Sequence, residues 1–269
     1  MNKDNNVLTI KTLKITPIKN LVLGLNHMIL ETNILFDKDG IHILTTDITK
    51  VITIHLLLPS DRFEIYDCKK EKILIAIQLP IFQKILQNAH NKDVLHLYIE
   101  NSHYQDGFIN YLSLKLDNSE LGSCVTHKIK LIDNEDNTFN VPDIKYPYFI
   151  NMSSNDFCKI IKNSKSFSDV IDILIVGNEI RFKLKSEQII SEFHKNELTG
   201  SISSENLSKI IHGTFELKHL DKIIKCSNLC QNVELYLDNE SPLCIKYNVA
   251  DLGHLTIYLL PFNNNLYNF

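Results

Sequence analysis

The chain has 269 residues, is 44% hydrophobic and 22% charged, and carries 28 basic against 32 acidic side chains for a net charge of −4. That length suits two domains, each with a core of its own, and no segment reaches the roughly 18 uninterrupted apolar residues of a membrane span. The opening stretch MNKDNNVLTIK lacks the apolar run and small-residue cleavage site of a secretory leader, so a cytosolic or nuclear protein is expected.

In chain order, the first helical periodicity covers Pro17 to Leu30, with proline in the first turn, where its missing N–H is not needed. A strand-like run, VITIHLLL, follows at Val51 to Leu58. A second helix is expected from Pro80 to Asn91 and another strand, VLHLYI, from Val94 to Ile99. Asp133 to Tyr148, with Pro142, Pro147 and the polar cluster DNEDN, is the best linker. Beyond it come a helix from Ser153 to Lys165, with Ser153 or Ser154 as N-cap and Asp156 in the following turn, a helix from Phe215 to Cys226, and a strand from Val233 to Leu237. Both sides of the linker read strand, helix, strands, helix, strands. The expectation is an α+β fold of two similar domains, residues 1–132 and 149–269, joined by a connector at 133–148.

Charge is segregated onto the helices. The four helical spans carry +1, +1, +2 and +1, which leaves −9 for the remainder of a −4 chain. Lys218, Lys222 and Lys225 lie at i, i+4 and i+7, opposite Leu220, Ile223 and Ile224. Lys159, Lys162 and Lys165 repeat the plan opposite Phe157, Ile160 and Ile161. The first two helices contain no acid: Lys19 accompanies Asn20 and Asn26 in one, and Lys84 accompanies Gln83, Gln87 and Asn88 in the other. A basic face on an acidic protein points to a polyanion, although any single stripe also fits an ordinary solvated helix.

Catalytic and metal chemistry find little support. Cys68, Cys124, Cys158 and Cys244 are scattered among apolar residues, as packed reduced thiols are. Cys226 and Cys230 form a lone C-x-x-x-C without the further ligands a zinc site needs. There is no glycine-rich phosphate loop, and Asp133 to Thr138 lacks the central glycine and distal glutamate of an EF-hand. The eleven histidines are dispersed. No enzyme activity, metal or cofactor is expected.

Two segments carry a resemblance. Ala250 to Phe262 (ADLGHLTIYLLPF) resembles the C-terminal strand and tail of the proliferating cell nuclear antigen family, the eukaryotic-type DNA sliding clamps. His127 to Phe157 (HKIKLIDNEDNTFNVPDIKYPYFINMSSNDF) lines up without a gap on that family's inter-domain connector and the entry to its second domain. The resemblance implies clamp-type domains with helices inside and antiparallel sheets outside, closing head to tail into a homotrimeric ring around duplex DNA. Such a ring retains polymerase and other factors after an ATP-driven loader opens it, in a nucleus or, for a viral protein, a cytoplasmic virus factory. The remaining alternatives are a heteromeric checkpoint-type clamp, a monomeric processivity factor, or an interaction scaffold that never touches DNA.

The resemblance also implies site residues. The basic positions Lys19, Lys84, Lys162, Lys218 and Lys225 would line the hole, and periodicity adds Lys159, Lys165 and Lys222. Lysine suits this task, because a hydrated charge on a flexible stem attracts phosphate without reading bases. Asn20, Asn26 and Gln87 replace residues that are often lysine in the family, so a weaker lining is expected. A hydrophobic groove for a peptide motif with a glutamine, an aliphatic anchor and paired aromatics would use Val51, Phe139, Val141, Pro142, Tyr146, Pro242, Tyr258, Leu260 and Pro261, while Thr46 and Lys50 depart from the family's usual residues. Subunit contact would pair an edge strand bearing Val125, His127, Ile129 and Leu131 with one bearing Ile180, Phe182 and Leu184. Both spans are cationic, through Lys128 and Lys130 on one and Arg181, Lys183 and Lys185 on the other, so repulsion at low salt is expected.

Overall fold

Alternating apolar residues build the strands of this chain, and proline or serine marks the start of its better-formed helices. The computed structural model describes residues 5–105, 107–133, 144, 146, 148–176, 179–186, 189–195, 210–239 and 241–262. Its elements run β1 (Asn6–Thr12), α1 (Ile15–Asn26), β2 (Glu31–Asp37), β3 (Gly40–Thr46), β4 (Ile52–Pro59), β5 (Ile65–Cys68), β6 (Lys72–Gln78), α2 (Leu79–Gln87), β7 (Val94–Glu100), β8 (Tyr104–Gln105), β9 (Phe108–Ile109), β10 (Tyr111–Asn118) and β11 (Ser123–Lys130). They continue as β12 (Tyr148–Ser153), α3 (Ser154–Lys165), β13 (Val170–Val176), β14 (Glu179–Lys185), β15 (Ile190–Lys195), β16 (Ile210–Glu216), α4 (Leu217–Ile223), β17 (Asn232–Leu237), β18 (Leu243–Asn248) and β19 (His254–Leu259). The chain divides into two compact units: Met1–Thr45 with His55–Asn140 and Asn248–Leu255, and Thr46–Ile54 with Val141–Tyr247 and Thr256–Phe269.

In the first unit, one sheet has the order β11-β10-β7-β1-β5, and β3, β2 and β6 are neighbours in another. Leu8, Ile10, Ile15, Leu25 and Phe36 are fully buried in its core. Helix α1 begins at Ile15 rather than Pro17, because burying Ile15 and Ile18 recruits the preceding turn. It ends at Asn26, short of the expected Leu30, where Met28 and Ile29 turn inward toward β2. Helix α2 likewise stops at Gln87, with Pro80 in its first turn as expected.

In the second unit the orders are β15-β14-β13-β16 and β12-β17-β18-β19. Phe157, Phe182, Phe215 and Tyr247 fill its core, with the Phe157 and Phe182 rings 6.3 Å apart. Ser153 caps α3, its hydroxyl accepting from the Asp156 amide at 3.3 Å. Helix α4 spans seven residues and then tightens into a 3-10 segment, Ile224–Leu229, so the expected single helix from Phe215 to Cys226 is two. Three residues make one 3-10 turn, so Lys225 still falls in line with Lys222.

Two expectations are corrected here. Strand β14 is not an edge: it lies between β13 and β15, and Ile180, Phe182 and Leu184 are buried. Its alternating EIRFKLK pattern has a charged outer face, which reads like an edge although a further strand covers its flank. On that flank the sheet ends, among the described residues, at β15, where Ile190 and Phe193 are exposed. Cys124 is also exposed, on β11, whereas Cys226 and Cys244 are buried and their thiols are pushed up to about 12 by desolvation.

The ADLGHL segment is a tight turn that only glycine completes. Ala250 has φ 49°, the Val249 amide donates to the Gly253 carbonyl at 2.9 Å, and Gly253 has φ 155°. A Cβ on Gly253 would stand 2.1 Å from the Leu57 carbonyl oxygen. His254 follows directly as the first residue of β19.

Burial of three histidines is expected to make this fold acid-sensitive. His55, His96 and His219 are all held below the ordinary imidazole value, chiefly by burial, helped at His55 by His254 and His42 and at His96 by Lys115 and Lys11. Such groups stay neutral in the folded chain while the unfolded chain takes up protons. Stability is therefore retained above about pH 6.5 and lost as pH falls below it. Thermal melting at pH 7.5 and 5.5 should show a drop that shrinks in His55→Gln/His96→Gln. Carboxylates do not contribute in that window, because their own losses come nearer pH 4, so an equal drop in the variant would refute this cause.

Candidate nucleic-acid interface and docking groove

The wet side of α1 and α2 is polar and sparsely charged. Lys19 does not point free into solvent: its ammonium donates to the Ala89 carbonyl at 2.7 Å, closing the end of α2 against α1. Asn26 donates to Gln83, linking α1 and α2 through side-chain amides, and the Thr16 hydroxyl donates to Asn91, past the end of α2, at 3.4 Å. Lys84 is exposed and forms no hydrogen bond or ion pair with a described residue. It is the available cation of this pair.

The wet side of α3 and α4 is richer and more self-compensated. Lys159, Lys162 and Lys165 are exposed on α3, while Phe157, Ile160 and Ile161 are buried behind them. On α4 and its extension Lys218 is exposed and Lys222 and Lys225 are half-buried, backed by buried Leu220, Ile223 and Ile224. Asp221 on α4 and Glu216 at the end of β16 compete with phosphate for these cations. Lys165 reaches Asp221 at 2.7 Å, Lys225 reaches the other oxygen of Asp221 at 3.7 Å, and Lys218 reaches Glu216 at 2.7 Å. Burial alone would raise the Asp221 carboxyl, but the Lys165 hydrogen bond and the charges of Lys225, Lys165 and Lys162 outweigh it and hold the group ionised. Sequence periodicity identified the lysines and missed their internal partners, because the Lys165–Asp221 pair joins positions 56 apart in the chain.

A second candidate surface lies in the same unit. The Tyr146 hydroxyl donates to the Pro242 carbonyl at 2.8 Å, and its ring packs 5.9 Å from Tyr236, which stacks on Phe149 at 5.5 Å. Tyr258 is close enough for its charge to act on Tyr146, whose phenol burial already pushes upward. The Leu260 amide donates to the Val51 carbonyl at 3.0 Å, and the Phe262 amide to the Thr214 carbonyl at 2.7 Å, fastening the tail. Leu260 is left half exposed, with Pro261 beside it. Val51, Tyr146, Pro242, Tyr258, Leu260 and Pro261 thus belong to one unit, while Phe139, Val141 and Pro142 lie outside the described residues, as does most of the expected connector.

Next to Val51 is a feature that sequence reasoning missed. Buried Asp47 accepts from the Val51 and Ile52 amides, both at 2.9 Å, and from the Thr49 hydroxyl at 2.5 Å. Burial would raise its carboxyl, but those hydrogen bonds win and keep it charged. The stapled loop, with Lys50 at φ 57°, holds Ile48 98% exposed. Among the described residues no group of three or more His, Cys, Asp or Glu side chains is arranged to hold a metal ion, and no helix is long and apolar enough to cross a membrane.

Comparison with known proteins accords with this architecture. The family profile described as proliferating cell nuclear antigen, N-terminal domain, matches residues 8–138, and that described as proliferating cell nuclear antigen, C-terminal domain, matches 140–262. The chain is 29% identical to the probable DNA polymerase sliding clamp 1 of Paramecium bursaria Chlorella virus 1, over 97% of this chain and 99% of that protein. It is 26% identical to the proliferating cell nuclear antigen of Chaetomium thermophilum, over 91% and 93% respectively. Its fold matches the crystal structure of the proliferating cellular nuclear antigen of Entamoeba histolytica with a TM-score of 0.85, at 23% identity, over 96% of this chain and all of that one.

Proposed function

The chain belongs to the proliferating cell nuclear antigen family, and on that premise we propose that it is a DNA sliding clamp, a non-catalytic processivity factor that holds polymerase on duplex DNA. The observation that carries the reading to this chain is the placement of its cations: Lys84, Lys159 and Lys162 are exposed on helices that bury their other faces, in a protein whose net charge is −4. Such cations attract phosphate without sequence preference. Domains at 1–132 and 149–269, with the connector between, form the protomer, and a homotrimer forms the ring.

Subunit contact is assigned to β11 of one protomer and β15 of the next. Both lie at sheet edges among the described residues, and Val125, Ile190 and Phe193 offer apolar surface there. The charge conflict expected between two cationic spans does not carry over. Arg181 and Lys183 lie on interior β14 and pair with Glu179 and Glu192, and β15 presents Glu192 as well as Lys195. The groove beside Tyr146, Tyr258 and Leu260 takes the aliphatic and aromatic anchors of a polymerase peptide. Loading requires an ATP-driven opener, and the site of action is a nucleus or a cytoplasmic virus factory.

The test is topological. Protein loaded onto nicked circular duplex should co-elute with it at moderate salt and be lost once the circle is linearised, since only a closed ring responds to free ends. Its solution mass should correspond to three protomers. A monomeric mass at high micromolar concentration, or equal retention on linear DNA, would overturn the ring.

A further inference from the structure

On the face formed by α3 and α4, one carboxylate serves several lysines. Asp221 accepts from Lys165 at 2.7 Å, lies 3.7 Å from Lys225, and feels the charge of Lys162. Glu216 does the same for Lys218 at 2.7 Å, while its other oxygen meets His219 at 3.2 Å. The apolar side of α4 is supplied by Leu217, Leu220 and Ile223, while Asp221, 23% exposed, sits on the flank that bears Lys225, where its pair with Lys165 also ties α4 to α3. A carboxylate and a phosphate are alternative anionic oxygen partners for the same ammonium groups.

We propose that Asp221 is a built-in competitor of the DNA phosphate: it occupies Lys165 and Lys225 when no phosphate is in reach and so limits how strongly this helix face grips duplex DNA. The inference rests on the clamp reading and adds the residue that sets the grip. A lysine that must leave a carboxylate to meet a phosphate neutralises no additional charge, so it releases fewer counterions than a free lysine does. Lys159 and Lys162, which have no such ion pair among the described residues, then provide most of the attraction of α3. The physical advantage of a limited grip is movement, because each lysine–phosphate pair must break and re-form as a ring advances along the backbone.

Affinity for a short duplex, followed by fluorescence anisotropy between about 50 and 200 mM salt, tests this. Asp221→Asn keeps the side-chain shape and frees two lysines. Binding at low salt should tighten on the order of tenfold, and the slope of log affinity against log salt should steepen by up to about 1.8 per protomer, at roughly 0.9 per phosphate newly engaged. Glu120→Gln makes the same charge change at the Lys92 ion pair in the other unit and should leave the slope unaltered. In Asp221→Asn/Lys165→Gln/Lys225→Gln the gain should vanish, because the carboxylate acts through those two lysines. Equal affinity and slope in parent and Asp221→Asn would overturn the proposal alone. Weaker binding by Asp221→Asn would also overturn it, because Asp221 would then be orienting the lysines toward phosphate. Absence of binding by every form would overturn the DNA reading and the proposal together.

Discussion

Replacing Lys84, Lys159 and Lys162 together by glutamine is expected to flatten the salt dependence of duplex affinity by up to about 2.7 per protomer, at roughly 0.9 for each phosphate no longer neutralised. All three are exposed, so the fold should barely respond: glutamine matches lysine in helix propensity, and the buried faces of α2 and α3 are untouched. The companion variant Lys218→Gln/Lys222→Gln/Lys225→Gln removes as many charges but should flatten the slope by only about one, because Lys218 and Lys225 already meet Glu216 and Asp221. The contrast between the two triples is the informative measurement. Identical slopes in both, or no change in either, would mean that internal pairing does not govern which lysines meet DNA.

Tyr258→Ala combined with Leu260→Ala is expected to weaken binding of a polymerase-derived peptide by about 2–4 kcal/mol, on the order of 30-fold to 1,000-fold, since a few buried anchors dominate small interfaces. Leu260 is half exposed and its amide, not its side chain, holds the tail to Val51, so its truncation leaves the fastening intact. Tyr258 is partly buried on β19 and its loss will cost some stability. Leu260→Ala alone separates the two effects: it should melt with the parent and still lose part of the affinity. Peptide titration by calorimetry, with solution mass as a check on assembly, reads the outcome. Parent-like affinity in the double variant would place the docking surface elsewhere.

Much of the fold was legible in the sequence because it obeys short-range rules. The Ser153 cap, the prolines in the first turns of α1 and α2, and the alternating runs that became β4, β7 and β17 all announce themselves within a few residues. The strand β15 did not, because its exposed apolar residues Ile190 and Phe193 are three apart and break the period of two. The edge implied by the family resemblance, at β14, falls one strand short of β15. The change from α4 to a 3-10 segment was equally silent, with neither glycine nor proline between Leu217 and Leu229 to mark it. For the candidate site, periodicity found the lysines but not their state of engagement. That depends on tertiary neighbours: Ala89 for Lys19, Asp221 for Lys165.

The two sheet edges at β11 and β15 bear on how such a protein must be supplied. Each ends a sheet among the described residues with unpaired backbone groups, and exposed Val125, Ile190 and Phe193 lie along them. On the proposed assembly these edges are covered by neighbouring copies, and a protomer without them would be adhesive toward any extended chain, including a misfolded copy of itself. Production in a brief, concentrated burst favours mutual capture over such encounters, whereas slow accumulation at low copy number prolongs the vulnerable interval and invites aggregation or proteolysis. The pace of synthesis, and not only the final amount, becomes a determinant of yield.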